Sequence, residues 1–238
     1  METRFIRRLL KPAIKFWLRS QVEAAQQIEF DIESNDRQLL SGEIQTVSVA
    51  GDGIVYQGLH LSAVKLVATG IQFNLGQILR GKPFHLLHPL NAEGHLFLLE
   101  TDLNASILSP LLGNVLAELL DQWAAPLTAL PHWETIGQGH QWREIEIAFQ
   151  PDTLRLNAHF CNAHQEEIPL SLTANVTLSN PQTIVLHRLI WDCPNPEFQQ
   201  ALSTTTTLTI GLGSEAALQR LSLEAGQVTC QLQIVISP

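Results

Sequence analysis

Apolar and polar residues alternate with a period of two through most of this chain, beginning at Ile28. Ile28, Phe30 and Ile32 are separated by acids, and Val47 and Val49 follow a Ser41-Gly42 turn. Gly51-Asp52-Gly53 reads as a turn or bulge, and Leu59, Leu61 and Ala63 open a strand that runs to Thr69-Gly70. Phe84 to Glu100 reads as two strands broken near Asn91 to Gly94. After residue 143 the pattern is almost entirely strands. Leu154, Leu156, Ala158 and Phe160 form one set, and Leu170, Leu172, Ala174, Val176 and Leu178 alternate with Ser, Thr and Asn without an error. Val228, Cys230, Leu232, Ile234 and Ile236 close the chain. Short strands separated by polar turns indicate antiparallel sheet with one apolar and one wet face. Leu172, Ala174, Val176 and the Val228 to Ile236 set are expected to point inward.

The helical signals are few. Residues 3–27 read as a helix. At 100° per residue, Arg4, Arg7, Arg8, Lys11, Lys15 and Arg19 fall on one arc. Phe5, Ile6, Leu9, Leu10, Ala13, Ile14, Phe16 and Trp17 fall on the opposite arc, and only Leu18 sits on the basic side. Pro12 either kinks this helix or begins it. Residues 74–80 suggest one or two helical turns closed by Gly81. Thr101-Asp102 offers an N-cap to a Leu-patterned helix over 102–123, interrupted at Pro110. Residues 124–142 read as a loop. Sheet plus a few helices to cover its apolar face is an α+β arrangement. The expected organisation is a basic amphipathic helix over 1–27 and a single domain over 28–238.

Charge changes the picture more than composition does. Only 16% of the 238 residues are charged, and 45% are hydrophobic, so the chain is not intrinsically disordered. The net charge of -9 is uneven: residues 1–19 hold six cations and one acid, net +5, and the remainder carries -14. An acidic body argues against nucleic acid as a partner, which demands a cationic groove. A basic segment on an acidic body fits an anionic membrane surface. The expected contact residues are Arg4, Phe5, Arg7, Arg8, Leu9, Lys11, Lys15, Phe16, Trp17 and Arg19, with aromatics at the headgroup boundary and cations on anionic lipid. Two other arrangements satisfy the same pattern. The helix packs its apolar face on the sheet, or its basic stripe docks on the protein's own acidic surface. No apolar run is long enough to span a bilayer, and the N-terminus lacks the h-region of a secretory signal. Cys161, Cys193 and Cys230 form no CxxC pair and read as reduced thiols. The expected location is therefore cytoplasmic and peripheral to a membrane.

Chemistry-bearing clusters are weak. His85, His88 and His95 form one group, and His159, Cys161, His164, Glu166 and Glu167 another, but neither has a structural-zinc spacing and HExxH is absent. GxSxG is absent too. Gly51-Asp52-Gly53 and Gly137-Gln138-Gly139 lack the setting of phosphate loops. Glu166 and Glu167 are adjacent, so an extended chain points them to opposite faces. No cofactor, metal or catalytic residue is assigned, and the chain reads as a non-enzyme.

Leu66-Val-Ala-Thr-Gly-Ile-Gln-Phe-Asn-Leu-Gly-Gln-Ile-Leu-Arg-Gly-Lys-Pro-Phe84, His88-Pro-Leu-Asn-Ala-Glu-Gly94 and Thr101-Asp-Leu-Asn-Ala-Ser-Ile-Leu-Ser-Pro-Leu111 together resemble the LmeA-like phospholipid-binding family, in particular its cyanobacterial branch. Leu40-Ser-Gly-Glu-Ile-Gln-Thr-Val-Ser-Val49 also matches its pattern of a short turn entering a long strand. The resemblance implies a mostly antiparallel β-sheet curved against a few helices, with an apolar seam that takes acyl chains. The favoured expectation is a protein that binds or transfers phospholipid, or another acyl-chain ligand, at a membrane surface. A membrane-recruited adaptor with a packed core is the second reading. A lipid hydrolase or transferase using His159 or His164 is the third.

Overall fold

A computed structural model describes residues 2–131, 137, 139–162, 166–214 and 216–238, with the backbone alone for 2–9. Helix α1 (Glu2–Ser20) leads into two antiparallel sheets. The first sheet has the order β1-β2-β3-β4-β11-β10, built from β1 (Gln27–Glu33), β2 (Glu43–Tyr56), β3 (Leu59–Gln72), β4 (Leu90–Leu99), β10 (Ala216–Glu224) and β11 (Gln227–Ile236). The second is a meander of β5 (Gln141–Gln150), β6 (Thr153–Cys161), β7 (Glu167–Asn180), β8 (Thr183–Asp192) and β9 (Thr207–Gly211). One sheet curls strongly into a half-barrel. The fold is α+β with antiparallel sheets and a few helices, as the alternation predicts.

Short helices fill the connections: α2 (Asp36–Leu40), α3 (Leu75–Ile78), α4 (Glu100–Ala105), α5 (Pro110–Ala124) and α6 (Pro196–Leu202). Asn35 caps α2 in a capping box with Gln38, and Ser109 caps α5 ahead of Pro110. Helix α6 escapes the sequence reading although Asn195-Pro196 is an N-cap followed by proline at the first helical position. Helix α1 runs through Pro12 and stops at Ser20, short of residue 27, because the chain then turns to bridge Ala24 to Val55.

Two corrections concern the first sheet. Residues 84–100 hold one strand, not two: β4 passes unbroken through Asn91 to Gly94, paired with β3 on one side and β11 on the other. Ala92 and Gly94 are small because they face the sheet's inner side, not because the chain turns there. Gly51-Asp52-Gly53 is neither turn nor bulge: it lies within β2, whose register with β3 is unshifted across Gly53, although Gly53 takes φ +57.

Two buried cores share the inner face of the first sheet. One joins Ile54, Leu61, Leu98 and Val228 to α5 and to the inner face of the second sheet. Its centre is Trp123, fully buried and edge-on to Trp142 and Trp191 at 5.7 and 5.1 Å. Leu172 and Ala174 point into it, and Val176 packs on its margin. The other joins Ile44, Ala68, Ile71, Phe73 and Phe84 to α1, α2 and α3.

Helix α4 staples the two sheets. Asn104 Nδ2 donates to the carbonyls of Glu100 and Ile147 at 2.9 and 2.7 Å, and the Ile147 N–H donates to Asn104 Oδ1 at 2.8 Å. The Phe149 N–H donates to Glu100 Oε2, and Ser62 Oγ donates to Asp102 Oδ2. The Thr101-Asp-Leu-Asn segment thus ties β3 to β5. Asn104→Ala leaves both backbone groups of Ile147 without this partner, and an unmade hydrogen bond at a half-buried site costs about 1–3 kcal/mol. The expected loss is about 2–4 kcal/mol of stability, measured by urea denaturation.

Candidate functional site

Strand register turns the alternation into a continuous surface. Across the six strands of the first sheet, Phe30, Val49, Leu66, Gly94, Leu232 and Leu218 stand opposite one another in a single row. Ile28, Gly51, Val64, Leu96, Cys230 and Leu221 form the neighbouring row. On the other side lie Ile32, Val47, Ala68, Ala92, Ile234 and Ala216. None of these eighteen positions is charged or bears a hydrogen-bonding oxygen or nitrogen on its side chain. The opposite face carries Glu29, Lys65, His95, Gln231 and Arg220 in one such row, because a shift of one residue reverses every side chain.

The middle row is the seam between the two cores. Phe30 and Val49 pack toward the α1 end and Leu66 toward the α5 end. Phe30, Val49, Leu66, Leu96, Cys230, Leu221 and Ile234 are only half-buried. Gly94 lets two leucines close over the centre: a Cβ there would stand 2.9 Å from Leu66 Cδ2 and 3.5 Å from Leu232 Cδ1. Burial among these neighbours pushes the Cys230 thiol up to about 11. At neutral pH it is an uncharged thiol that adds to the apolar surface.

A family model described as LmeA-like phospholipid-binding matches residues 1–233. The chain belongs to this family. No curated protein and no solved structure matches it. The apolar strip is the feature of this LmeA-like chain with the chemistry its family description names, since acyl chains offer no polar group to satisfy.

Helix α1 divides between two jobs, and of the residues expected to meet a membrane Trp17 falls on the packed side. Leu10 and Ile14 are buried in the second core, and Trp17 packs its ring 5.4 Å from Phe84. Phe16 is 72% exposed, and Lys11, Lys15 and Arg19 are exposed beside it. The side chains of Arg4, Phe5, Arg7, Arg8 and Leu9 lie outside the described residues. Among the described residues no helix is long and apolar enough to cross a membrane.

The candidate metal and catalytic groups lie away from the strip of this LmeA-like fold. His159 sits on the outer face of the second sheet, where a bulge turns Glu144 to φ +49. His159 Nδ1 lies 3.3 Å from Glu144 Oε2 and 3.9 Å from Glu167 Oε2, beside an open hollow of about 620 Å³. Burial first, and Glu167 second, push the Cys161 thiol up, and burial does the same to Cys193. Glu166 turns the other way, accepting from Asn162 Nδ2. His164 and Gln138 lie outside the described residues. His85 and His88 are exposed in the connector before β4, and His95 is on the outer face of β4. Among the described residues no three His, Cys, Asp or Glu side chains are placed to hold a metal ion.

Proposed function

We propose that this protein carries a phospholipid by laying acyl chain along the strip of the first sheet, and that it exchanges the lipid while resting on an anionic membrane through α1. The observation that carries this reading is the unbroken apolar field across six strands, on which Phe30, Val49, Leu66, Leu96 and Cys230 are only half-buried. Five interstrand spacings give it a width of about 24 Å. One leaflet of a bilayer's hydrocarbon core is about 15 Å deep, so the strip is long enough for an acyl chain. Each methylene removed from water contributes about 0.8 kcal/mol, so sixteen give about 13 kcal/mol before the costs of association. That gross figure matches the upper part of those costs, and it favours long chains over short ones. The outward Phe16 and its flanking cations support membrane contact by α1. The three free thiols support a reducing compartment, hence the cytoplasmic side.

Delipidated protein should take up a fluorescent phospholipid at about one per chain. Cys230 supplies a second readout at the strip. Because its thiol is pushed up to about 11, modification by a thiol reagent should speed roughly tenfold per pH unit below that value. Bound phospholipid should slow it at every pH. No uptake, or uptake that leaves Cys230 equally reactive, removes the strip as the site.

A further inference from the structure

The second core carries an unusual pattern at its rim. Four of its members are each followed or preceded in the chain by a large apolar residue that points away from it. Leu39 is buried and Leu40 is 49% exposed; Ile78 is buried and Leu79 is 51% exposed; Leu86 is buried and Leu87 is 52% exposed. Trp17 packs on the core, and Phe16 is turned out. These residues belong to α1, α2, α3 and the connector that follows α3, which pack on one another at one end of the first sheet. Four outward apolar side chains therefore ring that end.

The same end holds most of the protein's positive charge. Of 14 Lys and Arg, nine lie in α1, α2 and residues 75–89: the six of α1 with Arg37, Arg80 and Lys82. Only Glu2 and Asp36 of the 23 acids lie there, which leaves these segments at +7 and the rest of the chain at -16. Arg37, Arg80 and Lys82 are exposed, and none makes an ion pair among the described residues. The far end of the sheet offers a contrast. Leu108 there is 95% exposed and Tyr56 42%, beside Glu23, yet residues 98–118 contain no Lys or Arg. Exposed apolar groups occur at both ends, and cations at one.

We infer that α2, α3 and the connector before β4 form, with α1, a single docking face for an anionic bilayer, in which Leu79 and Leu87 insert and Arg80, Lys82 and Arg37 meet lipid phosphate. Insertion of apolar groups flanked by cations is the chemistry of an interfacial anchor, and two signals hold where one is marginal. The face also abuts the flank of the strip at Leu90 and Ile236, so the docked protein turns that flank toward the lipid. This inference rests on the membrane contact proposed above but not on lipid being held by the strip.

The test is cosedimentation of the full chain with vesicles of phosphatidylglycerol and phosphatidylcholine, alongside uptake of a fluorescent phospholipid supplied from cyclodextrin. Arg80→Gln with Lys82→Gln should weaken vesicle binding by on the order of tenfold at 0.1 M salt and by less at 1 M, where the screening length falls to about 3 Å. Leu79→Ser with Leu87→Ser should weaken it at both salt concentrations. Both pairs change exposed residues, so thermal melting and uptake from cyclodextrin should match the wild type. Leu108→Ser, at the other end, should leave vesicle binding unchanged. Wild-type affinity in both double variants, or no binding of the wild type to anionic vesicles, overturns the docking face. So does a loss of binding on Leu108→Ser. If uptake from cyclodextrin is absent in every protein while the two pairs still lose vesicle binding, the docking face stands and the lipid-carrying strip fails.

Discussion

Gly94→Phe is expected to abolish phospholipid uptake, lowering it more than tenfold, while the protein stays folded. Gly94 lies at the centre of the middle row, between Leu66 and Leu232. Its backbone is extended, so a side chain is permitted there. The atoms a new Cβ would meet are the far ends of two leucines, which rotate away at modest cost. A phenyl ring then displaces these leucines and occupies the line the acyl chain is proposed to cross. Overpacking of this kind costs about 1–3 kcal/mol, a loss that a domain of ordinary stability survives. Gly94→Ala makes the same first contact without reaching that line and should keep most of the uptake. Fluorescent phospholipid titration and thermal melting on the three proteins separate blocked binding from lost structure. Full uptake by Gly94→Phe would place the chain elsewhere.

The second large effect concerns α1. Leu10→Ala together with Ile14→Ala should lower the melting temperature by about 10–25 °C. Leu10 and Ile14 are 2% and 3% exposed, packed with Leu39, Phe73, Ile78 and Phe84. A large-to-Ala change in a core costs about 2–5 kcal/mol at each site. At this chain length about 1 kcal/mol corresponds to 2–4 °C. If residues 1–19 were only a membrane anchor, their removal would leave the body intact. Burial of these two side chains argues the opposite: deletion would bare Phe73, Ile78 and Phe84 to water. Circular dichroism and calorimetry of the double variant decide the matter. An unchanged transition would show that α1 rides on the surface rather than completing the core.

Much of the architecture was legible because it rests on local alternation. The inward set of β7 and the odd-even set of β11 follow from period two, whatever strands lie beside them. The LmeA-like resemblance was legible in the spacing of residues 66–111. Helix α6 has a local signal as well, Asn195-Pro196, but seven residues between strands leave too short a stretch for a helical period to stand out. Asn91 to Gly94 misled for a physical reason: glycine and asparagine mark turns in isolated segments, whereas in a central strand glycine marks a close approach. Only the pairing of β4 with both β3 and β11 distinguishes the two.

The sequence by itself determined which side of each strand is apolar, that α1 has a cationic arc and an apolar arc, and that positive charge is concentrated while the body is acidic. Those properties depend on neighbours a few residues apart, and the periods of helix and strand translate them directly into faces. Tertiary structure alone decided how the faces add up. Residues as distant as Phe30 and Leu232 enter one row because β11 returns beside β4 after the second sheet is complete. Leu10, Ile14 and Trp17 of the apolar arc of α1 are consumed by the core, and Phe16 is left outward. Arg37, Arg80 and Lys82 join the basic helix because α2 and α3 pack against it. Such sums depend on which strands pair and which helices meet, and these are contacts between residues far apart in the chain that no local period encodes.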